Sequence, residues 1–142
     1  MKIQIELKKG LENVQFGVTP ENVRKAFGEP EEVEELESAC EGSVESIVWN
    51  YPEIGLNFFF EAANGEPTLC TIESDNIETE LFGKKIFQLN QDEIKSVMQA
   101  NSFIDPEEED ETWGEHRITY DEAQIDFYFV EQELSLVSWS CF

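Results

Sequence analysis

Few residues of this chain could carry out chemistry, and their types decide which chemistry to consider. Its 142 residues include one histidine, three cysteines and 32 Asp and Glu against 9 Lys and Arg, a formal net charge of -23. The histidine stands in Gly114-Glu115-His116-Arg117. A histidine beside a carboxylate can serve as a general base, but it needs an orienting partner and a group to activate. The sequence marks neither, so His116 is expected to be a lone strand-edge residue. Cys40, Cys70 and Cys141 form no CxxC pair, and a single histidine cannot complete a usual zinc site with them. No P-loop, GxGxxG or GxSxG is present. The expectation is a protein that is not an enzyme and holds neither metal nor cofactor.

The carboxylates do have a pattern. Asp105, Glu107, Glu108, Glu109, Asp110 and Glu111 lie within the stretch DPEEEDE, and Trp113 follows almost at once. An earlier, looser acidic stretch contains Glu31, Glu32, Glu34, Glu35, Glu37, Glu41 and Glu45. The dense run lacks the alternating ligand spacing and central glycine of an EF-hand loop, so weak cation condensation is expected in place of tight calcium binding. With only 9 Lys and Arg in the chain, charges so dense are expected to face water or a cationic partner. Tryptophan is favoured at interface hot spots, which makes Trp113 a candidate anchor. The expected partner-binding residues are Asp105, Glu107, Glu108, Glu109, Asp110, Glu111, Trp113, Glu31, Glu34 and Glu35.

Composition narrows the partners. A chain that is 40% hydrophobic and 12% aromatic has ample material for a core. Its negative charge repels nucleic acid and anionic membranes and suits a basic protein. No apolar run approaches the roughly 18 residues of a membrane span. Residues 1–10, MKIQIELKKG, alternate like a strand and lack the apolar segment of a signal peptide. Unpaired cysteines, with Cys70 and Cys141 in apolar strand-like contexts, fit a reducing compartment. A cytoplasmic location is expected.

The elements that must position these residues come from a pattern that occurs twice. Tyr51 to Phe60 read YPEIGLNFFF, and Tyr120 to Phe129 read YDEAQIDFYF, an offset of 69 throughout. Each reads as a tight hairpin leading into an aromatic strand with both faces largely covered. Upstream, Pro20 follows Thr19 as a helix start, with Val23, Ala26 and Phe27 as the apolar stripe and Gly28 as the stop. Asn90 and Glu93 form a capping box before Ile94, Val97 and Met98. Glu29 to Glu45 and Asp105 to Glu111 are expected as solvated loops, and Asn64-Gly65 as a turn. The expected fold class is α+β: a single compact domain, 1–142, of two tandem α-β-β-β repeats. They span about 11–75 and 80–141, their short helices packed on antiparallel sheet, behind an N-terminal strand at 1–8.

The stretch Phe16-Gly17-Val18-Thr19-Pro20-Glu21-Asn22-Val23, continuing to Gly28-Glu29-Pro30, resembles the glycine-hydrophobic-threonine, valine, glycine-x-proline signature of the β-lactamase-inhibitor-protein-like fold. Outer-membrane assembly lipoproteins of the BamE type carry that signature too. The second copy departs from it, with Gln88 in place of the first glycine and Ala100-Asn101 where glycine-x-proline would continue. The absence of a lipobox argues against the lipoprotein role. The resemblance implies protein binding without catalysis, a profile shared by small bacterial immunity proteins and inhibitors. The leading expectation is therefore an acidic protein that inhibits or neutralises a basic partner, such as a nuclease or other toxin. The alternative is a structural or housekeeping domain with no dedicated acidic interface.

Overall fold

The computed structural model describes residues 3–36, 45–62, 66–110 and 114–141. Cys40, Glu37, Glu41, the Asn64-Gly65 turn, Glu111 and Trp113 lie outside the described residues.

Period-2 alternation of apolar residues dominates the chain, and it builds strands in order. The first half has β1 (Ile3–Glu6), β2 (Gly10–Leu11), α1 (Pro20–Phe27), β3 (Glu32–Leu36), β4 (Glu45–Tyr51), β5 (Leu56–Ala62) and β6 (Thr68–Ser74). The second half has β7 (Thr79–Leu81), β8 (Lys84–Lys85), a 3₁₀ turn (Ile86–Gln88), α2 (Gln91–Ala100), β9 (Glu107–Asp110), β10 (Glu115–Tyr120), β11 (Ile125–Val130) and β12 (Glu133–Ser140). Eight strands form one antiparallel sheet in the order β3-β4-β5-β6-β12-β11-β10-β9. The other four form a small sheet, β2-β1-β7-β8, in which β1 and β7 run parallel.

This arrangement corrects the expected fold class. The described residues are 49% strand and 17% helix, with two helices against twelve strands, so the protein is mainly β and is not an α+β fold of two tandem α-β-β-β repeats. The physical reason lies in the acidic stretches. Both were expected as loops because they are so polar, yet Glu32–Leu36 pairs along β4 and Glu107–Asp110 pairs along β10. An outer strand needs hydrogen bonds on one edge only and can leave its side chains in water, so high polarity does not exclude it.

One face of the large sheet carries the core. Phe58 and Phe60 on β5, Phe127 and Phe129 on β11, Ile72 on β6 and Trp139 on β12 are fully buried there. Helix α1 covers the face over β4 and β5, with the Phe27 ring 5.3 Å from Phe58 and 6.1 Å from Tyr51. Its stripe is narrower than expected: Val23 is buried and Phe27 packs on the core, but Ala26 is exposed. Helix α2 contributes Ile94 and Met98 to the same cluster, with Val97 half-buried beside them. It starts with the reciprocal Asn90–Glu93 capping box, whereas Thr19 makes no cap bond to α1 and accepts instead from Asn22 Nδ2 at 3.3 Å.

The small sheet is pinned to the large one by the buried Trp139 indole, whose Nε1 donates to the Gly10 carbonyl at 2.9 Å. Gly10 has φ +115°, and a Cβ there would lie 2.7 Å from the Val14 carbonyl oxygen, so no side chain fits. Cys70 is buried as expected, but Cys141 lies past the end of β12 and is exposed. The outer faces of β5 and β11 are not covered as expected: Asn57, Phe59, Asp126 and Tyr128 alternate with the buried residues and are half-open. Among the described residues, no helix packs on that face.

Candidate functional site

Directly opposed residues of an antiparallel pair point to the same face. Following the register from edge to edge places Glu32, Asn50, Asn57, Glu73, Ser138, Asp126, Thr119 and Glu107 in one transverse row. Their chain neighbours, such as Leu56 and Phe58 or Ile125 and Phe127, belong to the core. The row therefore lies on the uncovered face and crosses all eight strands. On one side it is flanked by the register-aligned Val48, Phe59 and Thr71, and on the other by Leu136, Tyr128 and Arg117. A depression of about 400 Å³ lies over the first part of the row, lined by Glu32, Asn50, Asn57 and Leu136 among others.

The electrostatics of this sheet are one-sided. Every one of its eight strands carries at least one Asp or Glu, and Arg117 is the only Lys or Arg among them. Near the centre, burial raises the Glu73 carboxyl above its ordinary range, while a hydrogen bond with Asn57 opposes the shift. Burial likewise raises the Tyr128 phenol, with the Asp126 charge adding to the effect and Arg117 opposing it. Thr119 Oγ1 donates to Asp126, tying β10 to β11 along the row.

At the β9 edge the acidic run is partly neutralised, which corrects the expectation that its charges cannot be paired internally. Glu108 Oε1 accepts from Lys95 Nζ of α2 at 2.9 Å and meets His116 Nε2 at 3.0 Å. The other ring nitrogen of His116, Nδ1, lies 2.6 Å from Asp110 Oδ1. Glu109, pointing to the other face, pairs with Arg117. The hydrogen bond from Lys95, then that with His116, holds the Glu108 carboxyl below its usual range. Hydrogen bonds with Asp110 and then Glu108 hold the His116 imidazole above its usual value, favouring the doubly protonated ring. His116 is thus not the lone residue expected: both its nitrogens are engaged by carboxylates, and no nitrogen is left to take a proton from a substrate.

The other expected site residues divide between the two edges. Asp105 and Glu107 are exposed near β9, and no Lys or Arg forms an ion pair with either among the described residues. Glu31 precedes β3, and Glu34 and Glu35 lie on it, all exposed at the opposite edge of the sheet. The structure therefore does not gather the described members of the expected set into one patch; it divides them between the β3 and β9 edges of the sheet. Reading along the sequence missed the middle of that row. Glu73 sits in Thr71-Ile72-Glu73-Ser74, where alternation alone marks it as facing away from the core. That it stands beside Ser138 depends on β6 pairing with β12, which no local pattern reveals.

Among the described residues, no group of three or more His, Cys, Asp or Glu is placed to hold a metal, since the carboxylates of Glu108 and Asp110 approach opposite sides of the His116 ring. No helix among them is long and apolar enough to cross a membrane. No protein-family model, curated protein or solved structure matches the chain, so the resemblance over residues 16–30 rests on those residues alone.

Proposed function

We propose that this protein is a non-catalytic binding module that inhibits or neutralises a basic protein, as an immunity protein does a toxin. It meets its partner through the uncovered face of the large sheet and the two acidic outer strands. The observation that supports this reading most is an acid on the uncovered face of seven of the eight strands, all but β4, with Arg117 as the only Lys or Arg. Such a face attracts cationic surfaces and speeds their docking more than it tightens the final complex. The half-buried Phe59, Tyr128 and Leu136 offer apolar contact within it, as an interface core requires. The setting we propose is the cytoplasm, where thiols such as Cys70 and Cys141 remain reduced.

A structural role is favoured by one observation: β3 and β9 are the open edges of the sheet, and acidic side chains there deter edge-to-edge association. One experiment separates the two readings. A partner is captured from a lysate of the source cells at low salt, purified, and its association rate measured against the chain with Glu34, Glu35, Asp105 and Glu107 changed to the amides. The binding reading requires association slower by about tenfold at low salt and nearly unchanged at high salt. An unchanged rate at low salt, with increased self-association of the variant by sedimentation, leaves the edge-protecting role.

A further inference from the structure

A second acidic feature lies outside the sheet face, at the end of the fold where α2 stops. A cavity of about 240 Å³ opens between the chain leaving α2 and the turn from β10 to β11. Phe103 and Ile104 line it on one side, Tyr120 forms part of the opposite wall, and Asp105, Asp121 and Glu122 complete its rim. Its apolar side is left open to water: Ile104 is 66% exposed, and Phe82, 39% exposed, stacks on Phe103 at 6.4 Å. The three rim carboxylates form no ion pair among the described residues.

The wall contains a polar group with no protein partner. Tyr51 and Tyr120 end β4 and β10 in the same way, and both are almost wholly buried. Tyr51 donates its hydroxyl to the Gly28 carbonyl, at the end of α1, at 2.8 Å. The chain leaving α2 takes another path, its Phe103 N–H returning to the Met98 carbonyl at 2.9 Å. Tyr120, only 3% exposed, makes no hydrogen bond among the described residues and borders the cavity instead. The hydroxyl oxygen itself still reaches water, which a donor entering the cavity can replace.

We infer that this cavity receives an arginine side chain of the basic partner. The inference rests on the binding role proposed above and deepens it. The methylene stem of an arginine covers Ile104 and Phe103, its planar guanidinium suits aromatic and carboxylate walls together, and the Tyr120 oxygen can accept one of its N–H groups. A neutral apolar side chain would leave Asp105, Asp121 and Glu122 desolvated without a counter-charge, which disfavours it.

The probe is N-acetyl-arginine amide, titrated into the whole ¹⁵N-labelled chain and followed by amide shifts, with the citrulline analogue as the uncharged control. The expected result is saturable shifts at Phe103, Ile104, Asp121 and Glu122 that the citrulline analogue does not produce. Asp121→Asn with Glu122→Gln, and separately Ile104→Ser, weaken the titration by about fivefold while the remaining spectrum is unchanged. Shifts of equal size along β3 and β9, an affinity unaffected by the variants, equal binding of citrulline, or no saturable shift each overturn the inference. The probe needs no partner, so an unresponsive cavity sinks this inference alone and leaves the association-rate test of the sheet face standing.

Discussion

His116 shows how a residue suited to catalysis is turned to another use by its neighbours. With Asp110 on one nitrogen and Glu108 on the other, its proton is stabilised by the folded state and raised from the ordinary value of 6.5. A raised pKa means that the contribution to stability is complete below the unfolded value and disappears as pH climbs through the folded one. Lys95 also faces Glu108 and keeps that carboxylate charged across this range. The native chain should therefore lose stability from about pH 6.5 upward, a loss measurable in urea melts at a series of pH values. His116→Gln should flatten that loss. A slope unchanged in the variant would mean that the imidazole is not held as the geometry shows.

At the scale of elements, the two helices are secured differently although their sequences begin alike. Asn90 accepts from the Glu93 N–H at 2.8 Å while Glu93 Oε1 accepts from the Asn90 N–H at 3.1 Å. The Thr19 side chain satisfies no N–H of α1, and that helix relies on Pro20, whose missing N–H costs nothing at its start. Asn90→Ala should thus cost about 1 kcal/mol in a denaturant melt, and Thr19→Ala well under half of that. Equal losses would show that the cap geometry of α1 is other than described. The outer strands follow the same logic. Strand β9 gains Lys95, His116 and Arg117 as counter-charges, whereas no ion pair reaches the described part of β3.

For the whole molecule, the seam between β6 and β12 makes one sheet and one core from the two halves. Phe58 and Phe127 sit on opposite sides of that seam, each fully buried, and Tyr51 and Tyr120 meet their rings edge-on at 5.5 and 6.2 Å. Phe58→Ala and Phe127→Ala should each cost roughly 3–5 kcal/mol, because the surrounding rings cannot close the space left. Since both belong to one cluster, each variant should lower a single cooperative transition and should not split it in two. Two separate transitions, or a loss under about 1 kcal/mol at both positions, would contradict the shared core.

Local chemistry was enough for several features. Alternation marked β1, and the aromatic runs after Tyr51 and Tyr120 marked β5 and β11, each to within a residue or two, because a strand that covers a core must supply apolar groups along it. The Asn90–Glu93 box and the Gly28 stop were legible for the same reason: each depends on residues a few positions apart. What depended on distant pairing was not legible. Glu32–Leu36 and Glu107–Asp110 have the composition of loops and become strands only because β4 and β10 present free edges to them. The partners of Glu108 come from α2 and β10, 13 and 8 residues away in sequence, and Glu73 meets Ser138 only across the seam. Charge content is a property of the chain, but which charges stand together is decided by strand register, and register is settled by the tertiary core.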